Sequence, residues 1–165
     1  MSTYLAALVL TVLPNIGGIL VSYSVRNEIK SYYQKLKRPS WAPPTWLFGP
    51  VWTVLYILIG FASYLVLTAD PSNIDLWLIP FVIYIFNLLL NWLWTPIFFS
   101  LKDMRGALHE ILIVDITAVL VAIQFYRVNQ FAGYLIIPYI VWLSIATALN
   151  NSILELNSKE EKEKK

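Results

Sequence analysis

The 165-residue chain has no cysteine and a single histidine, and charged side chains make up only 13% of it. Without cysteine there can be no disulfide, no thiolate nucleophile and no Cys-ligated zinc or iron–sulfur site. The charge content is far below the roughly 25% of an ordinary soluble domain. A formal net charge of +2 is also too small and dispersed to follow a nucleic-acid backbone. No Walker or dinucleotide-binding glycine pattern occurs, so nucleotide hydrolysis and hydride transfer have no basis here. These gaps exclude a soluble globular enzyme, a disordered chain and a nucleic-acid binder. What the chain has in quantity is apolar surface: 58% hydrophobic and 15% aromatic residues, with mean hydropathy +0.64. It reads as an integral membrane protein, with the lipid bilayer as its first partner.

The number of crossings follows from the uncharged runs. Tyr4–Val25 is 22 residues without Asp, Glu, Lys or Arg; Trp41–Ala69 is 29, Leu76–Leu101 is 26 and Val128–Leu154 is 27. Each exceeds the ~20 residues needed to cross a ~30 Å hydrocarbon core as a helix. A fifth run, Ala107–Tyr126, contains His109, Glu110 and Asp115 but is otherwise almost wholly apolar. The expected architecture is an all-α bundle of five transmembrane helices, at about 4–25, 46–68, 76–100, 107–126 and 131–154. They form a single domain over 1–157, followed by a charged flexible tail at 158–165. The first run has no basic start, so it reads as a retained helix rather than a signal peptide. Five spans cannot divide into two equal halves, which counts against an inverted-repeat transporter.

Lysine and arginine give the orientation. Arg26, Lys30, Lys35, Lys37 and Arg38 fall in the first loop, Lys102 and Arg105 in the third, and Lys159, Lys162, Lys164 and Lys165 in the tail. Only Arg127 falls on the opposite side. Such a bias puts the first loop and the C-terminus on the cytosolic side.

The first loop carries the densest signal. Pro39, Pro43 and Pro44 fix φ and remove backbone donors, so this stretch cannot be a regular helix. With Trp41 and Trp46 it reads either as an aromatic belt or as a preformed lid over the bundle. In the third span, Tyr84, Asn87, Asn91 and Trp94 are spaced 3, 4 and 3 apart and share one helical face. Asparagines in hydrocarbon need partners, so they either join helices or supply polar points in a ligand pocket. The fifth span gathers Tyr139, Trp142, Ala146, Leu149 and Asn150 near one face. Gly17, Gly18 and Ser22 in the first span form a small-residue surface suited to close helix contact. Glu110 is expected to snorkel or pair with Lys102 or Arg105, Asp115 to face the interior, and His109 to lie on the surface. No metal site and no paired acid–base site is expected.

Several stretches are recognisable in order: Pro14-Asn15-Ile16-Gly17-Gly18, Lys37-Arg38-Pro39-Ser40-Trp41-Ala42-Pro43-Pro44, Gly49-Pro50-Val51-Trp52, Asn91-Trp92-Leu93-Trp94-Thr95-Pro96-Ile97-Phe98-Phe99 and Pro138-Tyr139-Ile140-Val141-Trp142. Over about residues 12–150 the chain resembles the translocator protein family, also called peripheral-type benzodiazepine receptors or tryptophan-rich sensory proteins. The resemblance implies five helices with a cytosolic first loop, in the outer mitochondrial membrane of animals or a bacterial cell membrane. The Asn15–Gly18 surface and the lack of a targeting peptide favour the former. It further implies binding of cholesterol, of porphyrins such as protoporphyrin IX or haem, and of benzodiazepine- or isoquinoline-type ligands, with no covalent cofactor.

Carried over position by position, the ligand-binding residues would be Ser22 and Val25, then Phe48, Gly49, Val51 and Trp52. Asn91 and Trp94, then Ile113, and finally Trp142, Ala146 and Leu149 would complete the site, under a lid of Pro39, Trp41, Pro43 and Pro44. The expected role is ligand binding with transport. The alternative is a light-dependent porphyrin-degrading enzyme, or a stress-related tetrapyrrole scavenger, with Trp52 and Trp142 as the reactive residues. Three departures stand out. Gly106 replaces a tryptophan of vertebrate members. Residues 149–154 lack the Tyr and Lys/Arg of the vertebrate cholesterol motif, although Leu20–Arg26 fits that loose pattern. Val82 and Phe86 replace glycines through which some members form a homodimer, so that interface does not carry over.

Overall fold

The computed structural model describes residues 3–163, with side chains for residues 4–159, and is helical throughout, with no strand among the described residues. Its helices are α1 (Thr3–Ser24), α2 (Arg26–Ser31), α3 (Thr45–Ala69), α4 (Ile74–Phe99), α5 (Met104–Val128) and α6 (Gln130–Glu163), with one 3-10 turn at Tyr33–Lys35. All but α2 are long and apolar enough to cross a membrane. These five spans coincide with the five apolar runs. The fold is a membrane helical bundle.

Local chemistry sets several ends. Asp103 caps α5 by accepting from the Gly106 backbone N–H at 2.8 Å, the bond an N-cap carboxylate is suited to make. A single residue, Asn129, separates α5 from α6, and its side chain accepts from the Ala132 N–H at 3.1 Å. So tight a hairpin needs Gly133, because a Cβ there would stand 2.7 Å from the Tyr126 Cα. Prolines lie inside four of the spans, Pro14, Pro50, Pro80 with Pro96, and Pro138. Membrane helices tolerate them because neighbours satisfy the freed carbonyls.

The last helix departs from expectation. Ser158–Glu163 continues α6 rather than forming a flexible tail, while Lys164 and Lys165 lie outside the described residues. Glu and Lys are strong helix formers, and Asn157 bonds back to the Ile153 carbonyl at 2.7 Å, so the helix has no reason to stop where the apolar run stops.

Around the bundle, α1 packs on α3, α3 on α6, α6 on α5 and α5 on α4, while the contact of α4 with α1 and α3 is sparse. The main core lies between α3, α4, α5 and α6, with Ile59, Leu88, Val114, Phe125, Ile136 and Tyr139 all buried. A second, smaller cluster of Val25, Phe98, Phe99, Ala107, Leu149 and Ile153 lies at the end that carries the long loop. The first span is exposed or half-buried along its described length, with Pro14 and Asn15 its fully buried residues. Its glycines do not receive a helix backbone. A Cβ at Gly17 would strike the Trp92 ring and one at Gly18 the Tyr56 ring. The close backbone approach is on α3 instead, where a Cβ at Gly60 would stand 2.6 Å from the Leu10 carbonyl oxygen.

Candidate functional site

The sparse seam between α1, α3 and α4 holds space, in two adjoining chambers at the loop end. The inner chamber, about 200 Å³, reaches across to α5 and α6 and is lined by Phe98, Phe99, Ile111, Val114, Ala146, Leu149, Asn150 and Ile153. The outer chamber, about 560 Å³, opens between α1, α3 and α4, past Asn15, Gly18, Gly49, Thr53, Tyr56 and Trp92. Ser22, Ile29, Thr45, Phe48, Trp52, Asn91, Trp94 and Thr95 line both. The walls are aromatic and aliphatic, with a few amides and hydroxyls among them. That is the usual composition of a site for a large apolar ligand.

The two asparagines of α4, one turn apart, have separate roles. Asn87 is saturated: its Nδ2 donates to the Val114 carbonyl at 2.9 Å and to Thr117 Oγ1 at 2.8 Å, and its Oδ1 accepts from the Tyr139 hydroxyl at 3.0 Å. It joins α4, α5 and α6. Asn91 lines both chambers and is held less tightly, by a long bond of 3.4 Å to the Tyr56 hydroxyl and an interaction with the Tyr139 hydroxyl. Asn150 is intermediate, accepting from Trp94 Nε1 at 3.1 Å and donating to the Met104 carbonyl at 2.9 Å, which fixes the indole against the inner chamber.

Eight of the twelve residues expected in the site line these chambers: Ser22, Phe48, Gly49, Trp52, Asn91, Trp94, Ala146 and Leu149. Four do not. Val25 is buried in the second core cluster, and Val51 packs against the main core. Trp142 is buried behind Phe48, edge-on with ring centroids 5.7 Å apart. Ile113 is 48% exposed on the outer surface of α5. The buried face of α5 runs through Ala107, Ile111, Val114, Ala118 and Val121, so helical phase gives the wall to Ile111 and Val114. Phasing α5 from Ala107 would have found both, and Thr95 lies one turn beyond Asn91.

The lid also differs from its sequence reading. None of Pro39, Trp41, Pro43 and Pro44 lines either chamber, and Trp41 is half-exposed. The roof is made by Ile29 and Tyr33, with Thr45 where the chain enters α3. Tyr32 packs on Phe98 with centroids 6.3 Å apart, and Tyr33 stands edge-on to Phe99 at 6.0 Å. Burial pushes the Tyr33 phenol above its ordinary pKa, against the opposing pull of the Arg38 guanidinium, which sits 5.2 Å from the ring centroid. The proline segment is extended where it meets each end, at Leu36 and Pro44, and acts as a stiff spacer from the roof to α3.

Of the two acids, Glu110 departs from its expected place and Asp115 keeps an inward one, against α6. Glu110 is buried, with neither carboxyl oxygen hydrogen-bonded among the described residues, so it neither snorkels nor pairs. Asp115 is the less buried and accepts from the Thr147 hydroxyl at 2.6 Å. His109 is exposed.

Fold and site together define a class: a five-span helical membrane protein with an aromatic cavity roofed by its first loop. The TspO/MBR family model matches residues 10–156, and the chain belongs to that family. It is 37% identical over 147 residues to the Translocator protein of Homo sapiens, covering 89% of this chain and 87% of the relative. It is 39% identical over 126 residues to the Tryptophan-rich protein TspO of Chlorobaculum tepidum, covering 76% and 79%. Protein CrtK of Rhodobacter capsulatus is 33% identical over 130 residues, covering 79% and 81%.

Proposed function

We propose that this protein binds large, flat, mainly apolar ligands, cholesterol and porphyrins such as protoporphyrin IX or haem, within the loop-end cavity, and supports their movement across its membrane. Benzodiazepine- and isoquinoline-type molecules would occupy the same space. The observation that carries this reading is the pair of adjoining chambers, walled by Phe48, Trp52 and Trp94 and given a loosely held amide by Asn91. The outer chamber alone falls within the roughly 300–1,000 Å³ of ordinary ligand sites. The membrane is read as the outer mitochondrial one, with a bacterial cell membrane as the alternative. The loop end, with its eleven Lys and Arg residues, faces the cytosol.

The alternative is light-dependent porphyrin breakdown. Trp52 lines both chambers, whereas Trp142 packs edge-on against Phe48 and lines neither, so Trp52 is the better placed of the two candidate tryptophans. One experiment tests both readings. Detergent-purified protein is titrated with protoporphyrin IX and with cholesterol in the dark, then illuminated. Saturable dark binding without turnover is the expected outcome. Repeated product formation from excess porphyrin under light would establish the enzyme instead, and no saturable binding would dismiss the cavity as a ligand site.

A further inference from the structure

The roof has little burial of its own. Neither α2 nor the 3-10 turn contains a fully buried residue, and its ring contacts with Phe98 and Phe99 are apolar and non-directional. Segments of this kind open at low free energy. A directional attachment is therefore decisive, and one exists at Lys37, just where the chain leaves the 3-10 turn and becomes extended. The Lys37 backbone N–H donates to Asn157 Oδ1 at 3.1 Å, and Asn157 Nδ2 donates to the Lys37 carbonyl at 3.0 Å. The side-chain amide thus supplies one donor and one acceptor to a single residue, as a neighbouring strand would. The same Nδ2 donates to the carbonyl of Ile153, which lines the inner chamber. Asn157 lies within α6, which runs on to Glu163, so its amide is not a helix cap. One side chain ties roof, chamber wall and last helix together.

We propose that Asn157 is the latch of the roof: its reciprocal bonds to Lys37 hold the first loop over the inner chamber and set how often the chamber opens. Release of a bound ligand through the roof rests on the binding reading above; the latching of the loop does not. Asn157→Ala removes both bonds to Lys37. Asn157→Asp keeps the acceptor for the Lys37 N–H and loses the donor. Asn151→Ala is the control, since among the described residues that amide bonds along its own helix, to Glu155 at 2.9 Å. Both positions lie within α6, where Ala and Asp can be accommodated, so the three variants should fold.

The first measurement needs no ligand. Full-length protein in detergent is digested with trypsin, and cleavage after Lys35 and Lys37 is followed by mass, apart from cleavage in the C-terminal segment; Arg38 is protected by the Pro39 that follows it. Such cleavage tracks the open population when reclosing is fast. Asn157→Ala should raise the loop cleavage rate about tenfold, the size expected for two net-favourable neutral hydrogen bonds lost at a partly exposed site. Asn157→Asp should fall between it and the wild type, and Asn151→Ala should match the wild type. The second measurement is dissociation of protoporphyrin IX, read by recovery of tryptophan fluorescence; it should accelerate in the same order. Equal loop cleavage in Asn157→Ala and wild type overturns the latch. Faster cleavage with unchanged porphyrin release overturns its control of the chamber. If wild-type protein fails to bind porphyrin, the binding reading falls and cleavage alone decides the latch.

Discussion

The two ends of the bundle are built from the same residue types and put them to opposite use. In the main core, Tyr84, Phe125 and Tyr139 are buried among aliphatic side chains, and the Asn87 amide satisfies three groups from α5 and α6. One turn further along α4, the helices meet Phe48, Trp52 and Trp94, whose rings stand as walls around space. Ring size explains part of the contrast, because rigid aromatic side chains on separate helices cannot collapse into a gap as aliphatic ones do. The sparse contact of α4 with α1 and α3 explains the rest. The difference teaches that in a lipid-solvated bundle a cavity is kept open by its frame, and that the frame is the polar and packed half.

The comparison can be broken most severely at Asn87. Asn87→Leu should destabilise the protein by about 2–4 kcal/mol, from three interhelical bonds at roughly 0.6–1.7 kcal/mol each, read as the shift in thermal unfolding in detergent. An unchanged melting temperature would mean that the network frames nothing. Next comes Ala146→Phe, which fills the inner chamber without touching that network. Overpacking of about 1–3 kcal/mol predicts a roughly 5–150-fold loss of protoporphyrin IX affinity, with the fold intact. Unchanged affinity in folded protein would move the site elsewhere and leave Ala146 as a packing residue.

Asn91→Leu sharpens the contrast with its neighbour. It loses a long bond to Tyr56 and an interaction with Tyr139, so unfolding should shift by about 1 kcal/mol, less than for Asn87→Leu, while porphyrin or sterol affinity changes. A loss of stability as large as that of Asn87→Leu would erase the distinction between them. The smallest effect is expected at Trp41. Half-exposed and off both chambers, its replacement by Ala should alter stability by only about 0.5 kcal/mol and leave porphyrin release nearly unchanged. Release as fast as in Asn157→Ala would extend the roof over the proline segment.

Much of the site was legible from spacing on single helices. Asn91 and Trp94 on α4, and Ala146 with Leu149 on α6, share faces that a 3.6-residue period reveals. On α5 the same period, phased from Ala107, points to Ile111 and Val114, whereas the family resemblance implied Ile113. The roof could not be read this way. Tyr33 belongs to a short 3-10 turn with no amphipathic period, and the prolines that follow it mark the spacer rather than the roof. Asn157 carried no signal either, because an asparagine past the last apolar turn looks like ordinary solvated surface.

Sequence alone determined how many helices cross the membrane, where they lie, which end gathers the basic residues, and the family resemblance. These are local sums: transfer of about 20 residues between water and lipid depends on their composition and hardly on what packs beside them. Tertiary structure alone decided which polar groups are saturated, which face open space, and what covers that space. Such properties depend on pairs far apart in the chain, Asn87 with Tyr139 across 52 residues and Lys37 with Asn157 across 120. A void is the mismatch between several helices at once, and no single segment contains it.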